Sequence, residues 1–296
     1  MSGQAQASLR LIAPAKVNLF LEITGRRDNG YHELDSLFVF TNNGDELLIE
    51  EADSLSLGYE GPGAGNLPTP ENNIVWQAAT LLQSYAKAPL GAHMTLIKKL
   101  PIAAGIGGGS SNAAAALLGL NKLWALGLSK AELQKVGLAL GADVPACLEG
   151  RPVIARGIGE QLAPVTIPTC GILLVNPGED LATPDVFEAY RQSTASFDMK
   201  VPFPHHVDGY GDLLALLSQR YNALQLPAEK VLPVIGNVLA CLQELDGAGL
   251  VRMSGSGATC FALFPDLAAA KEAEKTVHEQ HPDWWHLASL VEGVGV

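Results

Sequence analysis

The residues best suited to do chemistry lie in Gly105-Ile-Gly107-Gly108-Gly109-Ser110-Ser111-Asn112, followed by a run of alanines and leucines that favours helix. Glycines allow positive φ and close approach of main chain to a ligand. A helix starting beside them adds unpaired N–H groups and the positive end of its dipole. Together these form an anion site, most naturally for phosphate. A tight turn capped by Ser110 or Ser111 would need one glycine, and four exceed that need. A Walker loop requires Lys-Ser or Lys-Thr after the last glycine, where this chain has Ser110. A dinucleotide fingerprint requires a third glycine where Ser110 stands and an acid about 20 residues on, and Leu123 to Leu128 offers none.

Two further places carry reactive side chains. In Pro14-Ala-Lys16-Val-Asn18, Lys16 and Asn18 fall two apart in an extended segment and so share a face. In Gly141-Ala-Asp143-Val-Pro145 a carboxylate stands in apolar company. An Asx turn or helix cap is the commonest job for such an aspartate, and a site carboxylate is the alternative. Asn29-Gly30 marks a hairpin turn that delivers Tyr31 and His32. Lys98-Lys99 lead into the glycine loop, either charging bound phosphates or standing in solvent. His205-His206 and His278-Glu-Gln-His281 lack a metal-ligand pattern and read as solvated.

The elements that must position these groups follow from pattern. Strands are expected at Leu9–Ala13 and Val17–Thr24, and as a pair at Ser36–Phe40 and Glu46–Glu50 around a turn at Thr41–Asp45. Glu60–Pro70 reads as loop, and Asn72 or Asn73 caps a helix to about Lys87. Ala92–Ile97 is a strand entering the glycine loop. Ser129-Lys-Ala-Glu132 is a capping box opening a helix to about Leu140. Further strands are expected at Arg151–Ala155, Gly171–Asn176, Leu250–Met253, Thr259–Leu263 and Trp285–Val291. The remaining helices are placed at Thr183–Arg191, Asp212–Ser218, Glu229–Leu245 and Pro265–His281, with loop from Ser193 to Tyr210. A domain change is expected near the connection at Ala163–Pro168, giving domains 1–165 and 166–296.

At 296 residues with 48% hydrophobic and 17% charged content, the chain reads as a globular protein with ample core. The net charge of −12 argues against a nucleic-acid partner. Cys147, Cys170, Cys241 and Cys260 are far apart, which favours buried, reduced thiols. Met1–Ser8 has no apolar signal core and no stretch is long enough to span a membrane, so a cytoplasmic protein without a membrane partner is expected.

The Pro101-x-x-x-Gly-x-Gly-Gly-Gly-Ser-Ser111 loop resembles that of the GHMP kinases, the family of galactokinase, homoserine, mevalonate and phosphomevalonate kinases. The early Ala-Lys-x-Asn strand and the late turn Met253-Ser-Gly-Ser-Gly-Ala-Thr259 match it in order over nearly the whole chain. The resemblance implies an α+β fold, with a ferredoxin-like C-terminal domain and an active site in the interdomain cleft. It implies an ATP-dependent small-molecule kinase with Mg²⁺ accompanying the phosphates, although no metal ligand beyond Ser110 or Ser111 suggests itself. Lys16 and Asp143 would be catalytic, Asp143 taking the proton from the attacking hydroxyl and Lys16 keeping that carboxylate ionised. Pro101, Ile102, Ala103, Ala104, Gly105, Ile106, Gly107, Gly108, Gly109, Ser110 and Ser111 would hold ATP, with Asn73 and Lys98 at the adenine. Gly30-Tyr31-His32 and Gly141-Ala-Asp-Val-Pro145 narrow the resemblance to members acting on a cytidyl diphosphate sugar alcohol. Asn18, Tyr31, His32, Thr183 and Phe187 would then hold that acceptor. A homoserine- or mevalonate-type kinase and a dinucleotide-binding oxidoreductase are the alternatives. The loop departs from many members in reading Ala103-Ala104 where they have glycines, and the turn reads Asp28-Asn29-Gly30 where Asp-Gly is usual.

Overall fold

The computed structural model describes residues 8–86, 90–193 and 197–293. Lys87, the expected end of the first helix, and most of Met1–Ser8 lie outside the described residues. The chain opens with two long strands, β1 (Ser8–Arg26) and β2 (His32–Glu50), which pair with one another. Each replaces two shorter strands expected from sequence. The turn expected at Thr41–Asp45 is instead extended, because Gly44 serves a close crossing. A Cβ there would lie 2.0 Å from the Ala13 carbonyl oxygen and 2.7 Å from Pro14 Cα.

Next come β3 (Leu55–Glu60), which sequence left unassigned, then α1 (Ile74–Gln83), β4 (Ala92–Ile97) and α2 (Gly108–Leu123). Asn73 caps α1 by accepting the Val75 N–H at 2.9 Å, and Val75, Ala78, Ala79 and Leu82 form its buried face as their spacing demands. α3 (Lys130–Leu138) opens with the expected capping box of Ser129 and Glu132. A short α4 (Val144–Glu149) follows directly after Asp143 where a turn is expected, because Pro145 sits in the first turn of the helix, where its missing N–H costs nothing.

The chain continues through β5 (Val153–Gly157), β6 (Gln161–Pro164), β7 (Cys170–Asn176), α5 (Thr183–Gln192) and α6 (Tyr210–Ser218). β6 occupies part of the expected connection, completing an antiparallel hairpin with β5. The single helix expected over Glu229–Leu245 is two, α7 (Gln225–Val231) and α8 (Val234–Gln243). Pro233 has no N–H to donate and drives Leu232 out of helical geometry, to φ −134° and ψ 87°. β8 (Leu250–Met253), β9 (Cys260–Phe264), α9 (Leu267–Gln280) and β10 (Trp285–Val291) close the chain. Among the described residues no helix is long and apolar enough to cross a membrane.

These segments form two compact units that interleave along the sequence. The first holds residues 1–15, 43–102 and 108–149. In it β4 pairs parallel with β3 and antiparallel with the end of β2, from Glu46↔Ile97 to Glu50↔His93. α2 packs on this sheet where Gly119 faces Ile49 and Leu11.

The second unit holds residues 16–42, 103–107 and 150–296. Its strands β7, β8, β9 and β10 form an antiparallel sheet in the order β10-β7-β9-β8. With helices after β7 and β9 this is the β-α-β-β-α-β arrangement of a ferredoxin-like domain, as expected. Leu173, Val175, Phe264, Ile235, Val238, Leu242 and Val277 belong to one buried cluster beneath it. Of the cysteines, Cys147, Cys170 and Cys260 are buried and Cys241 is half-buried, contrary to the expectation that all four are buried; all are free thiols, and burial pushes Cys170 up to about 12.

Candidate active site

In the first unit, Lys98 follows β4 and is no solvated lysine. It is 3% exposed, and its Nζ donates to Asp45 Oδ2 at 2.6 Å. Asp45, fully buried on β2, also accepts the main-chain N–H groups of Lys99 and Leu100 through Oδ1, at 2.7 and 2.8 Å. Burial pulls the Lys98 pKa down, and the Asp45 carboxylate partly restores it. Lys99 by contrast is half in solvent and pairs with Glu46. A Cβ on Gly108, the first residue of α2, would lie 3.3 Å from Lys98 Nζ and 3.8 Å from Asp45 Oδ2. The lysine tip therefore rests beside the amide end of the helix that follows the glycine loop.

The two loop serines part company. Ser111 is buried and its hydroxyl donates to Cys147 Sγ at 3.4 Å. Ser110 is half-buried and turns its hydroxyl toward Gly141, where a Cβ would sit 4.0 Å from it. Asp143 stands at the start of α4, its carbonyl accepting the Cys147 N–H at 3.0 Å, which fits the cap position. Among the described residues no three His, Cys, Asp or Glu side chains converge as a metal cluster.

In the second unit, Lys16 and Asn18 share one face of β1 as their spacing requires. Lys16 Nζ donates to Asn18 Oδ1 at 2.9 Å, and both side chains are buried. The Asn18 amide in turn donates to Ser36 Oγ at 2.9 Å, and Ser36 Oγ donates to the Phe20 carbonyl. Further along the same strand Glu22 accepts from Arg220 at 2.6 Å; burial raises its pKa against the pull of that guanidinium.

The loop segment Ala103–Gly107 is tied to this face from two sides. Ile106 accepts the Lys16 N–H at 2.9 Å. Ser254 Oγ accepts the Asn18 N–H at 3.1 Å and donates to the Gly105 carbonyl at 3.0 Å. Thr259 N–H reaches the Ala104 carbonyl at 3.2 Å, so the late glycine turn is the clasp of this segment. Gly107 has φ +62°, and a Cβ on it would meet Lys16 Cβ and Cε at 3.0 Å. Ala103 also takes positive φ, +52°, which a side chain adopts only at a cost.

Of the remaining expected contacts, His32 stacks on Phe187 with ring centroids 5.0 Å apart and 17° between planes, and meets Tyr190 edge-on at 5.7 Å. Burial, then the charges of Arg26 and Arg191, lower the His32 pKa and keep the ring neutral near pH 7. Tyr31 is 61% exposed, and Thr183 shares a 2.8 Å hydrogen bond with Ser256 of the late turn. Asp45, Ser36 and Ser254 escaped the sequence reading. Asp45 had a signal, a carboxylate opening the apolar stretch Leu47-Leu-Ile, but the preceding Asn-Asn-Gly made it look like a turn residue.

The GHMP kinases N terminal domain model matches residues 73–151 and the GHMP kinases C terminal model residues 206–283. The 4-diphosphocytidyl-2-C-methyl-D-erythritol kinase of Paramagnetospirillum magneticum is 46% identical over 94% of this chain and 96% of its own. That of Brucella melitensis is 45% identical over 96% of each. A crystal structure of 4-(cytidine 5'-diphospho)-2C-methyl-D-erythritol kinase superposes with TM-score 0.79 at 32% identity, over 97% of this chain and 100% of that one. Homoserine kinase from Cytophaga hutchinsonii, at 17% identity and TM-score 0.70 over 99% and 97% of the two chains, shares the fold alone. Identity at this level, sustained from end to end of both partners, makes the chain a member of the GHMP kinase family and thus an ATP-dependent small-molecule kinase.

Proposed function

We propose that this kinase transfers the γ-phosphoryl group of ATP to the 2-hydroxyl of 4-diphosphocytidyl-2-C-methyl-D-erythritol, a step of the non-mevalonate route to isoprenoid precursors. The observation that carries the reading furthest is the likeness, at 45–46% identity over nearly the whole chain, to enzymes named for that acceptor. The His32–Phe187 stack supports it, since an aromatic face suits a pyrimidine ring, whereas homoserine or mevalonate has no flat group to place there.

In this reading Asp143 accepts the proton of the acceptor hydroxyl and Lys16, held by Asn18, orients that hydroxyl. Phosphoryl transfer asks mainly for positioning and charge stabilisation. The amides at the start of α2 supply positive charge for the ATP phosphates, and the Lys98 ammonium, expected at the adenine, is proposed to add to it because its tip lies beside Gly108 at that helix end. Ser110, half-buried near the start of α2, suits a Mg²⁺ ion carried chiefly by the phosphates, where the ion would neutralise charge on their oxygens. Asn73, Asn18, Tyr31 and Thr183 complete the proposed ATP and acceptor contacts, and the cytoplasm is the proposed location.

The test is a turnover assay with ATP and the cytidyl acceptor beside homoserine and mevalonate, the product hydroxyl being assigned by phosphorus NMR. Turnover of the cytidyl acceptor at the 2-position is expected. Preference for either small acceptor would overturn the substrate assignment.

A further inference from the structure

We propose that Asp45 is a positioning residue for nucleotide binding, holding the Lys98 ammonium against the first turn of α2 where ATP phosphates are received. The inference rests on the ATP-dependent reading above and adds to it a residue that does not itself touch ATP. Both oxygens of Asp45 are committed: Oδ1 to the N–H groups of Lys99 and Leu100, Oδ2 to Lys98 Nζ. The two main-chain bonds prevent the carboxylate from turning, so the direction in which it holds the lysine is fixed. The lysine stem is guided too, since a Cβ on Gly63 would lie 2.7 Å from Lys98 Cγ. Its tip then ends at Gly108.

That placement is unfavourable by itself. An ammonium belongs at the negative end of a helix dipole, and here it lies at the positive end, buried. Asp45 offsets part of this cost, being the charged side chain that acts on Lys98. Of the elements around the lysine, Gly61, Gly63 and Gly108 bring no charge, and Lys99 is paired with Glu46. An ammonium has three N–H donors, and Asp45 takes one. A polyanion against Gly108 would engage the lysine and the helix amides together, which makes sense of placing both positive features there.

Steady-state kinetics of Asp45→Asn with both substrates across pH test this. Without its carboxylate Lys98 loses the interaction that raises its pKa, so it gives up its proton at a lower pH than in the wild type. The KM for ATP is expected to rise about tenfold or more and to climb with rising pH more steeply than in the wild type, while the acceptor KM stays within about twofold. A merely structural role would raise both KM values together and leave the wild-type pH profile of the ATP KM, and either result overturns the proposal. Should Asp45→Asn not fold, the double variant Asp45→Asn/Lys98→Met removes the buried charges as a pair, a change that is often tolerated. Calorimetric titration of that variant with ATP should show about tenfold weaker binding, and unchanged affinity overturns the proposal. A wild-type chain that binds no ATP would instead refute the nucleotide reading itself, whatever Asp45 does.

Discussion

The Lys16 ammonium donates to Asn18 Oδ1 at 2.9 Å while standing 4.6 Å from the centre of the Phe38 ring. A buried cation between an amide oxygen and an aromatic face is attracted from two sides without being neutralised by either. We predict that Lys16→Ala and Asp143→Asn each lower kcat by about 10²-fold or more, the scale of a positioned proton acceptor and its partner. Circular dichroism should show both variants folded. Near-normal kcat in folded Asp143→Asn would end its assignment as the base.

Gly107 and Gly108 should fail in different ways when given side chains. Gly107→Ala forces a side chain into φ +62° and presses on the Lys16 stem at 3.0 Å, so kcat should fall. Gly108→Val intrudes beside Lys98 Nζ, and ATP binding should suffer more than stability. Titration with ATP and a thermal melt of each variant separate the two; unchanged ATP affinity in Gly108→Val would leave that glycine a purely structural role.

How much of this could be read from the sequence depended on whether the signal was local. Asn73 as cap, the Ser129–Glu132 box and Pro184 at the start of α5 act within one helical turn, and each falls where its chemistry places it. Asn42-Asn-Gly44 misled because its glycine answers Ala13 and Pro14, some thirty positions away. The interleaving of the two units is non-local in the same way, as is the clasp of Ser254 on Gly105. Within the site, Lys16 beside Asn18 follows from the two-residue period of a strand, whereas Asp45 beside Lys98 required a partner strand to reveal it.

Ala103 holds φ +52° in the loop, a backbone conformation that costs a residue with a side chain. Relief of left-handed strain is worth about 1–2 kcal/mol, and the greater freedom of glycine in the unfolded chain returns about 0.4–1 kcal/mol of it. Ala103→Gly should therefore raise the melting temperature slightly, by about 2 °C. A lower melting temperature would show that packing of the Ala103 methyl outweighs the strain.

His32 sets a pH dependence of stability. Its folded pKa lies below the usual 6.5 because of burial, Arg26 and Arg191. The unfolded chain then binds the proton more readily, so this contribution is complete above the unfolded pKa and is lost as pH falls through it toward the folded value. Between about pH 7.5 and 5.5 the wild type should lose more thermal stability than His32→Gln does. Equal losses would show that the ring is not the responsible group.

Which alcohol is phosphorylated turns on Phe187. The phenyl ring is partly buried against the core of the second unit and carries the His32 imidazole at 5.0 Å. If the aromatic group serves a cytosine, Phe187→Ala removes the ring that carries the His32 imidazole and with it the flat face the pair offers to the base. Stacking is worth about 1–3 kcal/mol per base, so the KM for the cytidyl acceptor should rise about tenfold or more. The ATP KM should stay almost constant. If Phe187 serves only the core, truncation opens a cavity costing about 3–5 kcal/mol, and a less stable enzyme should lose affinity for both substrates in parallel. His32→Gln sharpens the comparison because it leaves the phenyl in place: it should weaken acceptor binding less than Phe187→Ala does, with ATP again unaffected. Parallel loss in both variants would remove the pyrimidine from this site and leave a kinase of some other small alcohol.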